Sequence, residues 1–287
     1  MGIMSIAEVT KNMTYELYCC TSFLKHKIIY SWIGYAKILT EMRCNKMKVD
    51  IWSDFVCPFC YIGKRRFEKA LKTFNKDDHI TIKYKSYQLD PCAKKNPEKS
   101  IHELLASKYG MGVEKAKATN ADIGKQAAEE GLKYHFDTMI HTNTFDAHRV
   151  AKYAEANEKG KEMTERLLKA YFTDTRHIAD HATLVELAEE VGLNSKEVAA
   201  LLGENDFASL VRAEERQARE IGVKGVPFFV FNDKYAVSGA QPTEVFLDVL
   251  EKVWIDENKK PFLHDLNPKD LETSYCTGEG CKVEENK

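Results

Sequence analysis

The chain has 287 residues, 44% of them hydrophobic, enough for a packed core in one large domain or two of ordinary size. Its 42 basic and 44 acidic residues leave a net charge of −2, with both signs spread along the chain. No basic stripe points to nucleic acid, no polybasic block to an anionic membrane surface, and eight cysteines are too few here for a disulfide-stapled secreted scaffold.

Residues 1–46 read as a leader of uncertain structure. Lys25 and Lys27 precede an apolar run from Ile28 to Ala36, which superficially resembles a signal peptide. The run is short, begins late and meets Lys37 without a small-residue cleavage site. It is also too short and too charged at its edges to span a bilayer. The expectation is an accessory leader, or upstream sequence translated ahead of Met47.

From Met47, Val49, Ile51 and Trp52 predict a short strand that runs through Ser53-Asp54-Phe55-Val56 into Cys57. Cys60, Gly63, Phe67, Leu71 and Phe74 then recur at helical spacing. Pro58 suits the first turn, where a missing N–H is harmless. Ile80, Ile82 and Tyr84 alternate with Thr81, Lys83 and Lys85, predicting a second strand. Residues 98–186 read as an all-helical insertion. Ser100-x-x-Glu103 and Thr183-x-x-Glu186 fit capping boxes, and Gly110 and Gly192 fit terminators. A further helix is expected from about Asp206 to Ile221, stopped by Gly222.

Strand character returns at Phe228-Phe229-Val230-Phe231, turns at Asn232-Asp233 and pairs back through Tyr235-Ala236-Val237. Pro242 starts a last helix carrying Phe246, Val249, Leu250 and Val253. The order β-α-β, helical block, β-β-α is an α/β fold. Residues 47–97 and 187–258 form its body, and 259–287 form a polar tail that contains a Cys-x-x-x-x-Cys pair.

A Cys-x-x-Cys between a strand and a helix is a mechanistic arrangement. The helix N-terminus presents unpaired N–H groups and partial positive charge, which favour a thiolate at Cys57. Cys60, one turn in, is expected to be the more buried thiol, suited to resolving a mixed disulfide. Pro58 and Phe59 bring neither charge nor imidazole, so the helix end carries the thiolate and the couple should be moderately oxidising. The bland readings are two thiols in an ordinary helix, or half a zinc site. Gly225-Val226-Pro227-Phe228 precedes a strand. Beside an upstream Cys-x-x-Cys in a β-α-β unit, a cis Val226–Pro227 bond is expected, with its loop offering backbone groups to an extended substrate.

Three segments together resemble the DsbA-like proteins of the FrnE type. They are Ser53 to Arg66, Asn143-Thr144-Phe145-Asp146-Ala147-His148-Arg149, and the run from Gly222 to Pro242 that ends in Ser238-Gly239-Ala240-Gln241-Pro242. The resemblance covers about Met47 to Trp254. It implies a thioredoxin fold interrupted by helices, Cys57 as nucleophile, Cys60 as resolving thiol and Pro227 as the cis proline, with Pro58, Phe59, Val226 and Pro227 bordering the substrate. Many relatives carry Trp where this chain has Phe59.

Some members of that branch also carry a C-terminal cysteine pair. Gly278 and Gly280 would let a Cys276/Cys281 loop close with little strain. The pair could exchange electrons with Cys57/Cys60, form a surface disulfide or remain idle. Four cysteines could also close a zinc site, but Pro227 beside Cys57 would crowd the ion, and the expectation is no metal and no cofactor. His148 and Arg149 read as a partly buried polar pair and Cys92 as a loop thiol. Asp54 reads equally as proton acceptor or strand-end turn, and His135, His141, His177 and His181 lack a metal-ligand pattern.

The expected partners are protein or small-molecule thiols and disulfides, in the cytoplasm, with neither nucleic acid nor membrane. Two rivals are a kappa-like glutathione-dependent transferase or isomerase, and a redox-regulated chaperone or sensor.

Overall fold

The computed structural model describes residues 46–96, 98–258, 275–277 and 280–282. Its first strand, β1 (Met47–Ser53), is followed by helix α1 (Pro58–Phe74) and strand β2 (Ile80–Ser86). Six helices come next: α2 (Ile101–Tyr109), α3 (Val113–Glu129), α4 (Phe145–Ala156), α5 (Gly160–Phe172), α6 (His181–Glu190) and α7 (Ser195–Gly203). Helix α8 (Ala208–Glu220), strands β3 (Phe228–Phe231) and β4 (Tyr235–Ser238), and helix α9 (Thr243–Glu257) complete the body. The sheet runs β2-β1-β3-β4, with β1 parallel to β2 and the other pairs antiparallel. This is the α/β order expected from the sequence, a thioredoxin fold with a helical insertion.

β1 is buried nearly throughout because both of its faces are covered. Val49 and Ile51 join Phe67 of α1, Phe229 and Phe231 of β3, and Phe246 and Leu250 of α9 in one cluster. Phe67 is its hub, with ring centroids 5.4 Å from Phe229 and 5.5 Å from Phe246. Trp52, on the opposite face, packs with Ala218 of α8 and Val223, and its indole N–H donates to the Glu214 carbonyl at 3.1 Å.

A second, larger cluster joins the insertion to the end of β1 and the start of α1. Phe55, Tyr61 and Ile62 pack there with Leu167, Leu168, Phe172, Leu187 and Leu201. A boundary at 186 therefore falls inside α6, and the packing of Leu187 and Leu201 favours placing it after α7.

The Ser100 capping box forms as expected, and Gly110 closes α2 at φ 63°. The Thr183 box does not form. Asp180 is the N-cap of α6, accepting from the Thr183 N–H at 2.8 Å. A carboxylate at that end adds a favourable interaction with the helix dipole to the capping bond. Among the described residues no helix is long and apolar enough to cross a membrane.

Strands β5 (Tyr275–Thr277) and β6 (Gly280–Lys282) pair antiparallel, with Cys276 opposite Cys281. Whether their thiols bond, and any zinc site they would share, lies outside what is described, as does the leader through residue 45.

Candidate active site

β1 delivers the chain to a tight turn, in which the Cys57 N–H donates to the Asp54 carbonyl at 3.2 Å. Cys57 is the N-cap of α1 in extended conformation, and Pro58 occupies the first turn without loss of a hydrogen bond. The Cys57 thiol reaches the Val226 carbonyl at 3.5 Å, and Cys60 Sγ accepts from the Asp54 N–H at 3.5 Å.

Sequence reasoning expected Cys60 to be the more buried thiol. The structure leaves Cys60 3% and Cys57 4% exposed, so the two are buried almost equally. They differ in what they face: Cys57 lines a large cavity and Cys60 does not. Burial pushes the Cys60 thiol pKa well up, and Cys57 pushes the same way, while the Ser53 hydroxyl and the Asp54 N–H work against both. Cys60 therefore holds its proton until something removes it.

The Val226–Pro227 bond is cis. Its loop lies against α1 so closely that a Cβ added at Gly63 would stand 3.0 Å from Pro227 Cγ and 3.3 Å from Ala240 Cβ. Gly63 costs helix propensity of about 1 kcal/mol, and this close approach is what requires it. Gly63→Val is expected to displace the Pro227 loop and lower disulfide-exchange activity about a hundredfold, with about 1–3 kcal/mol of overpacking. Unchanged turnover in a variant that melts like the parent would refute that role for Gly63.

The segment Asn143 to Arg149 closes the back of the site. His148 Nε2 lies 3.3 Å from Asp54 Oδ1, while Asp54 Oδ2 accepts from the Leu89 N–H at 2.7 Å. Asp54 thus ties the end of β1 to the chain after β2 and to α4. Arg149 pairs with Asp146 at 2.9 Å and donates to the carbonyls of Leu201, Glu204 and Asp206. It is a brace for the insertion, consistent with a buried polar pair. Tyr134, which no spacing singled out, donates to the Pro58 carbonyl at 2.8 Å and stacks on Phe172 with centroids 4.4 Å apart.

The remaining candidates are dispersed. Cys92 is an exposed free thiol. His181 pairs with Asp146 at 3.0 Å, and His177 Nε2 lies 2.6 Å from the Lys95 carbonyl. Among the described residues no three His, Cys, Asp or Glu side chains form a group that could hold a metal ion. Phe59 is 38% exposed and lines the cavity onto which Cys57 faces. That cavity has a volume of about 710 Å³, with Ile101, Ile123, Met139 and Val226 among its walls. It is mostly apolar and brings the insertion helices α2 and α3 to the cysteine pair. Burial lowers the pKa of its His141, which favours the neutral ring.

The family model for the DSBA-like thioredoxin domain matches residues 48–251. The chain belongs to this family. It is 39% identical to the probable DsbA oxidoreductase of Streptomyces coelicolor, whose structure superposes with a TM-score of 0.71 over 83% of this chain and 100% of that one. An uncharacterised protein of Bacillus subtilis, YwbO, is 29% identical over 215 residues, covering 74% of this chain and 98% of that protein. A 2-hydroxychromene-2-carboxylate isomerase shares the fold at 17% identity, with a TM-score of 0.58 over 73% of this DsbA-like chain and 97% of its own. Membership makes oxidoreductase chemistry the general activity. The likeness to an isomerase means that the side chains of the site must supply the particulars.

Proposed function

We propose that this chain is a dithiol–disulfide oxidoreductase, with isomerase capacity, that acts on protein disulfides through Cys57 as nucleophile and Cys60 as resolving thiol. The observation that carries this reading is the position of Cys57, at the N-cap of α1 and on the wall of the apolar cavity, with Cys60 one turn behind it. The Cys57 thiolate attacks a substrate disulfide and leaves a mixed disulfide. Cys60 then attacks the Cys57 sulfur, releasing the substrate's second thiol. Run in reverse, the oxidised pair delivers its disulfide to a substrate dithiol.

Pro58, Phe59, Val226 and Pro227 border the substrate in this reading. The cavity beside them suits apolar side chains flanking the substrate cysteine. Cys276 and Cys281, opposite each other across the tail hairpin, are assigned an accessory redox role. In a reducing compartment the pair works as reductase or isomerase, and in an oxidising one it donates disulfides.

The reading is tested by equilibrating the protein across glutathione redox buffers and mapping disulfides by mass spectrometry. A reversible Cys57–Cys60 bond is expected, with a defined potential that shifts in a Cys276→Ser/Cys281→Ser variant. Thiols that stay reduced at every buffer ratio would sink the redox assignment. An unshifted potential and unaltered activity in the double variant would remove the accessory role alone.

A further inference from the structure

A second cavity, of about 270 Å³, lies behind the cysteine pair, walled by β2, α4 and α5, and does not include Cys57. Part of its lining is surface, at the exposed Glu158 and Glu162, and part is interior, at the buried Ser53, Ser86 and His148. Ser53 and Ser86 are register partners at the ends of β1 and β2. The Ser86 hydroxyl is fully enclosed and lies close enough to Glu214 to help lower its pKa. A cavity of this size whose wall carries two serine hydroxyls and several charged side chains has room and partners for ordered water. Ser53 lines this cavity beside Cys60, whose Sγ accepts from the adjoining Asp54 N–H at 3.5 Å, and the Ser53 hydroxyl helps lower the Cys60 pKa. Cys60 is thus one hydroxyl away from a passage that reaches the surface.

We propose that this passage, entered through the Ser53 hydroxyl, is the proton exit of Cys60. The inference rests on the redox reading above and deepens it. Attack by the Cys57 thiolate on a disulfide RS–SR′ forms Cys57–S–S–R and expels R′S⁻, which takes a proton from solvent. Cys60 then passes its proton to the Ser53 oxygen as Ser53 gives its own to cavity water. The Cys60 thiolate attacks the Cys57 sulfur, forming the Cys57–Cys60 bond and expelling RS⁻, which is protonated in turn. Two electrons pass from the protein dithiol to the substrate, and the two thiol protons leave through solvent.

The other groups around Cys60 are engaged elsewhere. Asp54 meets it only through its backbone N–H, its carboxylate being held by Leu89 and His148. Burial raises the pKa of Tyr84 on β2 and of Tyr134, which keeps both hydroxyls neutral. On the cavity wall Lys152 is bonded to the Tyr84 carbonyl, Glu155 and Glu214, and Lys85 lies 3.6 Å from Glu214. Lys83 and Lys161 also line it.

The test is a single-turnover reaction of the fully reduced, full-length protein with 4,4′-dithiodipyridine, quenched by acid at timed points. Peptide mass spectrometry then follows the Cys57 adduct and the Cys57–Cys60 disulfide separately. Ser53→Ala is expected to form the adduct at the parental rate but to resolve it at least about tenfold more slowly near neutral pH. The deficit should narrow as pH rises, because solvent hydroxide then removes the proton directly. Ser53→Thr, which keeps the hydroxyl, should restore resolution. Ala151→Leu, which fills the cavity from α4, should slow resolution without changing adduct formation. Equal resolution in Ser53→Ala and parent, or a deficit that Ser53→Thr fails to restore, would overturn the proton exit while leaving the redox reading intact. Failure of the parent to form any Cys57 adduct would overturn both.

Discussion

Cys57→Ser is expected to lower insulin-disulfide reduction by dithiothreitol at least about a thousandfold, to the uncatalysed background. A hydroxyl in place of the thiol cannot form the mixed disulfide, so no part of the cycle survives. The substitution is well suited to separating chemistry from folding. Position 57 is the N-cap of α1 and has no side-chain capping bond, and serine is a favoured N-cap residue. The variant should therefore melt at or slightly above the parental temperature. Cys60→Ser behaves differently. It retains the first exchange and accumulates the Cys57 adduct, which external dithiol clears slowly. A bound-zinc assay on the same preparations separates a redox pair from a metal site. Parental turnover in Cys57→Ser, or stoichiometric zinc held by the cysteines, would move the glutathione-dependent and structural alternatives ahead.

The parts of the fold that were legible in the sequence are those governed by local periodicity. Alternation over Ile80 to Lys85 and helical recurrence from Cys60 to Phe74 marked β2 and α1, because a side chain's period is fixed by its own backbone. The cis Val226–Pro227 bond was legible only in combination, since most X-Pro bonds are trans. The Thr183 box was misplaced because Asp180, three residues earlier, offered a better cap.

The site was legible as a motif and illegible as a place. Ile101, Ile123 and Met139 reach the cavity beside Cys57 through helix packing that no spacing from Cys57 encodes. Tyr134 meets the Pro58 carbonyl across 76 residues. Ser53 read only as the start of the stretch that leads to Cys57 and opens the first family-like segment. Its register partner Ser86, and the cavity that both line, exist only once β1 and β2 are paired. Gly63 did leave a signal. A glycine inside an otherwise strong amphipathic helix costs stability unless something lies close against it, and Pro227 does.

Behind that pairing stands one buried ion pair whose loss should be felt throughout the domain. Glu214 of α8 is 5% exposed. One carboxylate oxygen accepts from the Ser86 N–H at 2.7 Å and the other from Lys152 Nζ at 2.9 Å. Burial by itself would raise its pKa, but Lys152 and the Ser86 N–H outweigh burial and hold the carboxyl below its ordinary value. A depressed folded-state pKa adds stability that is present above the unfolded value of about 4.3 and fades as pH falls through the folded one.

Glu214→Gln keeps the shape and a hydrogen-bond acceptor for Ser86 while removing the charge. Lys152, its side chain 3% exposed, would keep the Tyr84 carbonyl at 2.6 Å and, as its one remaining carboxylate, Glu155 at 2.7 Å, whose side chain is 35% exposed. Breaking a buried pair costs about 3–5 kcal/mol. The retained Glu155 contact sets the expectation at the lower end, about 3 kcal/mol near pH 7, measured by urea unfolding. The gap between parent and variant should close as pH falls from the unfolded value through the lower folded-state pKa, because the parent's carboxyl is then itself becoming neutral. A variant within about 1 kcal/mol of the parent at neutral pH would place the pair among those whose attraction only offsets its desolvation. The β1–β2 register that sets Ser53 beside Ser86 would then have to be held by Trp52 and the surrounding core.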